Sequence, residues 1–174
     1  ILISLHREEN VDNKKNLENI FLALKMIKKK YKKNLIFTLH PRSKKKLKEF
    51  NIKSNFLYFK PFGYFDYLNL QQNSFCTISD SGTISEEAYL LNFPAVSLRN
   101  NNERPEAIDS GVHIISGLQP EMICSALEYA NVNRIEYLKK NLIAEYEFEN
   151  VSSVAVKAIY SFVNYIDRVI WHKN

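Results

Sequence analysis

The sequence predicts a Rossmann-like α/β fold, in which a parallel sheet is covered by helices on both faces. Short apolar runs of strand character alternate along the 174 residues with segments whose apolar residues recur at helical spacing. This alternation is typical of parallel sheets buried on both sides. The length is that of one domain, and a content of 45% hydrophobic and 13% aromatic residues supports a core and excludes disorder.

The first half of the chain contains three predicted strands separated by helical segments. One of the helices carries a single apolar stripe and is capped by Asp12 or Asn13. The stripe comprises Leu17, Ile20, Phe21, Leu24 and Ile27. Strands are expected at residues 1–5, 35–39 and 56–59, a lysine-rich helix at about 43–50, and an aromatic-rich turn and helix at 62–70.

The second half begins with a predicted βαβ unit. Its first strand covers residues 75–78, Pro94 ends its helix, and residues 95–98 form its second strand. A last strand is expected at 112–115, with further helices at about 120–129, 134–145 and 152–170. The final helix is predicted to keep one apolar side, formed by Ala155, Ala158 or Ile159, Phe162, Ile166 and Val169.

The strand-to-helix turn of this βαβ unit is the small-residue step Asp80-Ser81-Gly82. The first N–H groups of a helix have no partner within it and carry the positive end of the helix dipole. A turn of this kind is a ready phosphate site, although Ser and Asp are also ordinary N-caps. The turn alone therefore predicts either a phosphate site or a capped helix.

Acidic and basic residues near this turn favour a nucleotide-sugar site. Glu86 and Glu87 lie in the first turns of the helix, where they either complement its dipole or accept hydrogen bonds from sugar hydroxyls. Arg99 and Arg104 follow the next strand, and an arginine there is suited to closing over a diphosphate. Amides, a hydroxyl acceptor and a guanidinium are the parts that such a site needs.

Four separate loops are predicted to bring polar side chains to one edge of the sheet. Each of the candidate groups directly follows a strand: His6, His40, Ser81 with Gly82, and Arg99 with Arg104. In open parallel sheets, ligands bind in the crevice outside the carboxyl ends of the strands. The convergence of these loops therefore predicts a ligand site independently of any relative.

Two motifs in the right order resemble those of the non-hydrolysing UDP-N-acetylglucosamine 2-epimerases. They are SLHREEN at residues 4–10 and DSGTISEEA at 80–88, the latter followed by a strand and by ERPE at 103–106. The resemblance extends to about residue 117. It implies the C-terminal half of a glycosyltransferase-B-like two-domain enzyme, so residues 1–174 are expected to be a UDP-binding domain whose N-terminal partner domain is absent from this chain. The start of the chain within a strand and without Met favours the same expectation.

The resemblance also implies roles for individual residues. His6 would be catalytic, facing the bond that breaks, and Arg7 would bind substrate. His40 would lie near the phosphates, Tyr67 against the uracil and Glu87 on the ribose. The diphosphate would be bound by Ser81, Gly82, Arg99 and Arg104.

The reaction implied by the resemblance is inversion at C2 of a UDP-linked 2-acetamido sugar for surface polysaccharide synthesis. UDP would be eliminated to give a 2-acetamidoglycal and then added back. The DSGTISEE and HREEN variants resemble the branch that acts on 6-deoxy sugars for capsule and O-antigen. Three alternatives stay open: a UDP-sugar-dependent glycosyltransferase, a hydrolysing 2-epimerase and a non-catalytic nucleotide-sugar-binding module. The piece alone is expected to be inactive.

Composition indicates which partners to expect. The net charge is +5, with twelve lysines, Arg42 and the single acid Glu49 between Lys25 and Lys60; we interpret these lysines as solvated helix faces rather than a nucleic-acid surface. Cys76 and Cys124 are typical of a reduced, cytoplasmic protein. No metal, cofactor or membrane span is expected, since ligand spacing and a long apolar run are lacking. By resemblance, the full-length enzyme is expected to be a homodimer.

Overall fold

A six-stranded parallel sheet forms the centre of the structure. This computed structural model describes residues 1–101, 103–132 and 143–173. The strands are β1 (Leu2–Leu5), β2 (Ile36–Leu39), β3 (Leu57–Phe59), β4 (Thr77–Ser79), β5 (Ala95–Ser97) and β6 (Ile114–Ile115). Their order is β3-β2-β1-β4-β5-β6, and every neighbouring pair is parallel. This order is that of the doubly wound dinucleotide-binding fold, so the predicted fold class is confirmed.

One or two helices follow each strand along the chain. They are α1 (Glu8–Val11), α2 (Lys14–Tyr31), α3 (Pro41–Glu49), α4 (Tyr64–Asn73), α5 (Ile84–Leu91), α6 (Pro105–Asp109) and α7 (Pro120–Val132). The chain divides into two compact units, residues 1–143 and 144–174. The second unit contains a 3₁₀ turn (Ala144–Tyr146), α8 (Val151–Tyr165) and a π-helical turn (Ile166–Ile170).

Two apolar clusters lie on opposite faces of the sheet. Alternate residues of β1 and β5, such as Ile3 and Val96, pack in the larger cluster with α2 and α7. Ala95, which points the other way in β5, packs with Ile84 and Ala88 of α5 in the smaller cluster. The apolar stripe predicted for α2 is buried as expected. Both faces of the central strands are therefore covered.

Several expectations about the elements were wrong in detail. The segment from His6 to Asn10 is not entirely a loop, because α1 begins at Glu8. The lysine-rich helix begins at Pro41, since His40 accepts the N–H of Arg42 and acts as its N-cap. The residues of β3, an edge strand, are partly exposed rather than buried between helices. The helix expected at 134–145 lies largely outside the described residues.

The last predicted helix is present, but its apolar side is not buried within its own unit. Its regular part ends at Tyr165, and the π-helical turn continues to Ile170. Residues of the expected stripe are exposed; Ile159 and Phe162 each retain 60% of their accessible surface. Among the described residues, no helix is long and apolar enough to cross a membrane.

The packing of Phe21 yields a stability prediction. Its ring lies 5.7 Å from that of Phe37 and 5.6 Å from that of Phe56, and it is 1% exposed. Phe21→Ala should lower the free energy of unfolding by about 3–5 kcal/mol, because it leaves a cavity between β2 and α2. The adjacent Leu22, which is half exposed, provides the matched control. In urea unfolding, Leu22→Ala should change stability by roughly 0.5 kcal/mol or less; equal losses for the two variants would contradict the packing described here.

Candidate functional site

The candidate site lies where the strand order reverses, between β1 and β4. The chain after β1 and the chain after β4 enter the same crevice, which in doubly wound sheets is the place for a ligand. Asp80 joins the two segments. Its carboxylate is fully buried and accepts the backbone N–H groups of His6, at 3.1 Å, and Arg7, at 3.0 Å.

Two further side chains complete the surroundings of Asp80. Buried Asn10 donates through Nδ2 to Asp80 Oδ2, at 3.2 Å, and to the Leu98 carbonyl, at 3.0 Å. The imidazole of His6 places Nδ1 3.2 Å from Asp80 Oδ1. The side chain of His6 remains 47% exposed, so Nδ1 contacts Asp80 while much of the ring is accessible to solvent.

The turn after Asp80 leads directly into α5. Ser81 donates its N–H to Ser79 Oγ at 3.0 Å, and its hydroxyl lies 3.0 Å from the hydroxyl of Thr83. Thr83 is the N-cap residue, but its side chain makes no cap hydrogen bond. Instead, the Thr83 hydroxyl donates to Glu87 at 2.7 Å. The N-cap residue is therefore Thr83 rather than the Ser or Asp of the capped-helix alternative, and its side chain does not cap the helix.

Two guanidinium groups lie against Gly82. A Cβ atom at this glycine would be 3.3 Å from Nη1 of Arg104 and 3.7 Å from Nη1 of Arg99. The structure thus brings together three of the predicted features: the α5 N-terminus, Arg99 and Arg104. A side chain at position 82 would press on these cations, so the glycine allows their close approach to the turn.

Arg99 is a buried cation that is only partly satisfied by protein groups. It is 2% exposed, and its Nη2 donates to both carboxylate oxygens of Glu103, at 2.6 and 2.9 Å. This hydrogen bond lowers the pKa of Glu103. The buried Nε of Arg99 has no hydrogen-bond partner among the described residues. Burying a charge without full pairing is costly, so an unused donor here favours an anionic ligand.

Arg104 is paired with the carboxylate of Glu86, and the sequence did not predict this pairing. Its Nε donates to Glu86, and its Nη1 lies 3.8 Å from Glu103. The carboxylates Glu86 and Glu103 therefore orient the two arginines. The acidic residues in the motifs are visible in the sequence, but the pairing of each one with a particular arginine depends on the tertiary structure.

Glu87, the predicted ribose acceptor, is fixed by two donors. Besides Thr83, the amide Nε2 of Gln71 donates to it at 2.5 Å. Gln71 lies on α4 and is 1% exposed, and it was not among the predicted residues. A carboxylate can accept about four hydrogen bonds, so Glu87 retains acceptor capacity for hydroxyl groups of a ligand.

Tyr67 is also brought to the crevice, with its hydroxyl directed into the protein. The phenol hydroxyl forms hydrogen bonds with the side chains of Ser4 in β1 and Ser79 in β4, and burial raises the pKa of Tyr67 to about 12. The phenol therefore stays neutral. The neighbouring aromatic Phe65 is 82% exposed. Stacking of uracil on Tyr67 stays a prediction.

Two other predicted residues lie at the same edge of the sheet with protein partners of their own. His40, after β2, accepts the N–H of Arg42 through Nδ1 at 3.3 Å. Arg7 lies 3.4 Å from Glu9. Arg42, which was not predicted, joins α3 to the segment after β1 by ion pairs with Glu8 and Asp12. Among the described residues, no group of three or more His, Cys, Asp and Glu side chains is placed to hold a metal.

His113 is a buried neighbour of the arginine pair to which the sequence analysis gave no role. Burial lowers the pKa of His113 to about 4. The next largest influence is Glu86, which raises this pKa, and the positive charges of Arg99 and Arg104 have smaller effects that lower it. A neutral imidazole thus lies near the two guanidinium groups, where an imidazolium would add a third positive charge.

The structure therefore defines a class: a Rossmann-like domain in which a turn flanked by two arginines, the carboxylates paired with them and an imidazole follow the central strands. Residues 1–159 match the family described as UDP-N-acetylglucosamine 2-epimerase, and the chain belongs to this family. A UDP-N-acetylglucosamine 2-epimerase of Methanococcus maripaludis is 44% identical over 133 residues, which are 73% of this chain and 36% of that protein.

Solved structures agree with this assignment and with the predicted glycosyltransferase-B-like fold. The Methanocaldococcus jannaschii UDP-GlcNAc 2-epimerase in complex with UDP-GlcNAc and UDP is 43% identical, with a TM-score of 0.71 over 75% of this chain and 38% of that one. The UDP-N-acetylglucosamine 2-epimerase from Rickettsia bellii is 36% identical, with a TM-score of 0.76 over 99% of this chain and 47% of that one. The chain thus spans less than half the length of these relatives.

The buried state of His113 predicts a dependence of stability on pH. The unfolded state binds a proton near the ordinary histidine value of 6.5 and the folded state only near 4, so the unfolded state holds more protons in between. The contribution of neutral His113 to the free energy of unfolding is fully present above pH 6.5. It is lost as the pH drops toward 4, which lowers the free energy of unfolding by at most about 3 kcal/mol.

Chemical unfolding of the His113→Gln variant at a series of pH values tests this expectation. The variant should lose less stability than the native chain over that acidic range. His172→Gln, at an exposed position near the C-terminus, is the matched control and should retain the native pH dependence. An unchanged acid slope in His113→Gln would contradict the burial of a neutral imidazole.

Proposed function

We propose that this chain is the UDP-binding half of a non-hydrolysing UDP-N-acetylglucosamine 2-epimerase, residues 1–174 forming its C-terminal domain. The observation that carries the proposal is the convergence of Arg99 and Arg104 on the Gly82 turn, beside the His6–Asp80 pair. The reaction is inversion at C2 of a UDP-linked 2-acetamido sugar, by elimination of UDP and its re-addition. The predicted role in polysaccharide synthesis, the 6-deoxy-sugar branch, the homodimer and the cytoplasmic location stay predictions.

The diphosphate is the group that this site is best suited to bind. The N-terminal end of α5, the buried guanidinium of Arg99 and that of Arg104 all present positive charge at Gly82. Bidentate guanidinium–phosphate contacts are among the strongest charge-assisted hydrogen bonds. A bound diphosphate would compete with Glu86 and Glu103 for these donors, and it would offer Arg99 Nε an acceptor that the described residues do not supply.

The carboxylate of Glu87 supports recognition of the nucleoside. Gln71 and Thr83 hold it in one orientation, so little side-chain entropy remains to be lost when it accepts ribose hydroxyls. Its negative charge would repel phosphate but not a hydroxyl. We therefore assign the ribose to Glu87 and the diphosphate to the arginines.

His6 supports the departure of UDP. When the bond between C1 and the diphosphate oxygen breaks, negative charge builds up on that oxygen, and a positioned donor stabilises it more than it stabilises the ground state. The half-exposed imidazole on Asp80 is suited to this role. The groups that take the proton from C2 and return it on the other face are expected outside this chain, in the remaining part of the family fold.

Analysis of products from UDP-N-acetylglucosamine tests the proposed function directly. Full-length protein should form the C2 epimer with UDP still attached and should establish the same equilibrium from either side. Free UDP with free N-acetylmannosamine would indicate the hydrolysing alternative, and sugar transfer to an acceptor would indicate a glycosyltransferase. Binding of UDP without turnover would leave only a nucleotide-sugar-binding module.

Substitutions at Glu87 and Arg104 are expected to weaken UDP binding. In the full-length protein, Glu87→Gln and Arg104→Ala should each cost roughly 1.5–3 kcal/mol, or about 10- to 150-fold in affinity, because each removes a charge-assisted hydrogen bond. Added salt should reduce the contribution of Arg104 more than that of Glu87, since only the arginine faces phosphate charge.

Calorimetric titration with UDP at two salt concentrations measures both effects. Glu18→Gln, on the exposed side of α2, and Arg168→Ala, in the second unit, are matched controls that should bind UDP normally. Glu87→Gln should change the free energy of unfolding by about 1 kcal/mol or less, because it removes a dipole-complementing charge at a helix start. Normal UDP affinity in both Glu87→Gln and Arg104→Ala would show that this turn is an ordinary helix N-terminus and does not bind UDP.

His6→Ala should separate turnover from binding. We expect turnover to fall by about 10²-fold or more, because the charge that His6 stabilises develops as the bond breaks. UDP affinity should change much less. The measurement is steady-state kinetics together with UDP titration, and His172→Ala serves as the control; a variant with near-native turnover would make His6 a structural residue.

A further inference from the structure

The buried carboxylate of Asp80 faces His6 in a way that has consequences for the proposed reaction. Asp80 has no solvent exposure, and its Oδ1 is 3.2 Å from Nδ1 of His6. The remaining contacts of this carboxylate are donors: the N–H groups of His6 and Arg7 and the side-chain amide of Asn10. A carboxylate surrounded in this way accepts hydrogen bonds and has none to donate.

The position of the proton on the imidazole follows from these contacts. Two acceptors at hydrogen-bond distance repel each other, so Nδ1 must carry a proton where it meets Asp80. The neutral ring is then the Nδ1–H tautomer, and Nε2 is the nitrogen left with a lone pair. Free neutral histidine otherwise distributes its proton between the two nitrogens, so the tautomer is set by Asp80.

We propose that Asp80 is a positioning residue that fixes the tautomer and orientation of His6, so that Nε2 is the nitrogen that exchanges a proton or hydrogen bond with the ligand. This inference rests on the proposed function of His6. The arrangement resembles in principle other carboxylate–imidazole pairs, in which the carboxylate orients the ring and stabilises its cationic form without being protonated itself.

The surroundings of the pair support this assignment. Among the described residues nearby, the side chain of Arg7 lies close to Glu9 in the same segment, and Tyr67 of α4 lies near Asp80. Burial, with a smaller contribution from the carboxylates of Glu87 and Asp80, raises the pKa of Tyr67 to about 12, so the phenol is neutral. Among the described residues, Asp80 is the negative group in contact with the ring, and its charge would stabilise an imidazolium formed by protonation at Nε2.

Asp80 also pins the segment after β1, so a test must separate the two roles. Any variant that removes one of the hydrogen bonds between Asp80 and the segment after β1 would loosen that segment. Asn10 offers the matched comparison: it binds the same carboxylate and the Leu98 carbonyl, but it does not touch the imidazole. Asn10→Ala removes the hydrogen bond from Asn10 to Asp80 and leaves the contact between Asp80 and Nδ1 of His6.

The primary measurement is the tautomer of His6 in full-length protein labelled with ¹⁵N at histidine. For the neutral imidazole, the nitrogen shifts should report a proton on Nδ1; the His6→Gln spectrum identifies the signals. Asp80→Asn should move the proton toward Nε2, because its amide can donate to Nδ1. Asn10→Ala should lower the unfolding midpoint and keep the Nδ1–H form.

Kinetics provide the second measurement. Asp80→Asn should reduce kcat for epimerisation by about 10²-fold or more while changing UDP affinity by less than about threefold, as expected for a group acting through a general acid–base residue. Equal losses of kcat and of UDP affinity would indicate collapse of the site and contradict a positioning role.

The tautomer of the native protein decides the matter even if Asp80→Asn does not fold. A neutral His6 with its proton on Nε2 would overturn the inference, as would an Asn10→Ala spectrum changed as much as that of Asp80→Asn. Failure of the native protein to bind UDP would instead contradict the proposed function. Normal UDP binding with the Nε2–H tautomer would contradict only the role assigned to Asp80.

Discussion

The hydrogen bonds of one buried carboxylate hold the site together. Removing an ionised carboxylate from water costs several kcal/mol unless protein donors replace the lost solvation. Asp80 meets this requirement with two backbone N–H groups, the amide of Asn10 and the imidazole of His6. Because all four donors come from the segment after β1 and the acceptor follows β4, the two halves of the doubly wound sheet are tied at the point where a ligand would enter.

The second constraint is the concentration of positive charge at Gly82. Two guanidinium groups and a helix N-terminus repel one another in the absence of an anion, and Glu86 and Glu103 supply the compensating charge. Glu103 is largely exposed, so its pairing with Arg99 can be exchanged for a ligand at little cost in burial. The neutral state of His113 avoids a third cation behind the turn. Charge balance thus accounts for Glu86, Glu103 and His113, to which the proposal gives no contact with a ligand.

The open character of this half is consistent with its place in the family. His6 is half exposed, and the chain spans less than half the length of the relatives it matches. Electrostatic stabilisation of a departing diphosphate is strongest where water is excluded. In the proposed reaction, the remaining part of the family fold would therefore contribute closure over the diphosphate.

The sequence by itself determined the parallel sheet, the stripe of α2 and the loops that carry His6, Gly82, Arg99 and Arg104, because periodicity and strand-end position are local properties. The family motifs followed for the same reason. Only the tertiary structure decided that Asp80 contacts the His6 ring, that Gln71 hydrogen-bonds to Glu87 and that Glu86 and Glu103 pair with the arginines. Several of these partners are separated by 16 to 74 positions along the chain, and such contacts depend on how the strands are ordered rather than on any local pattern.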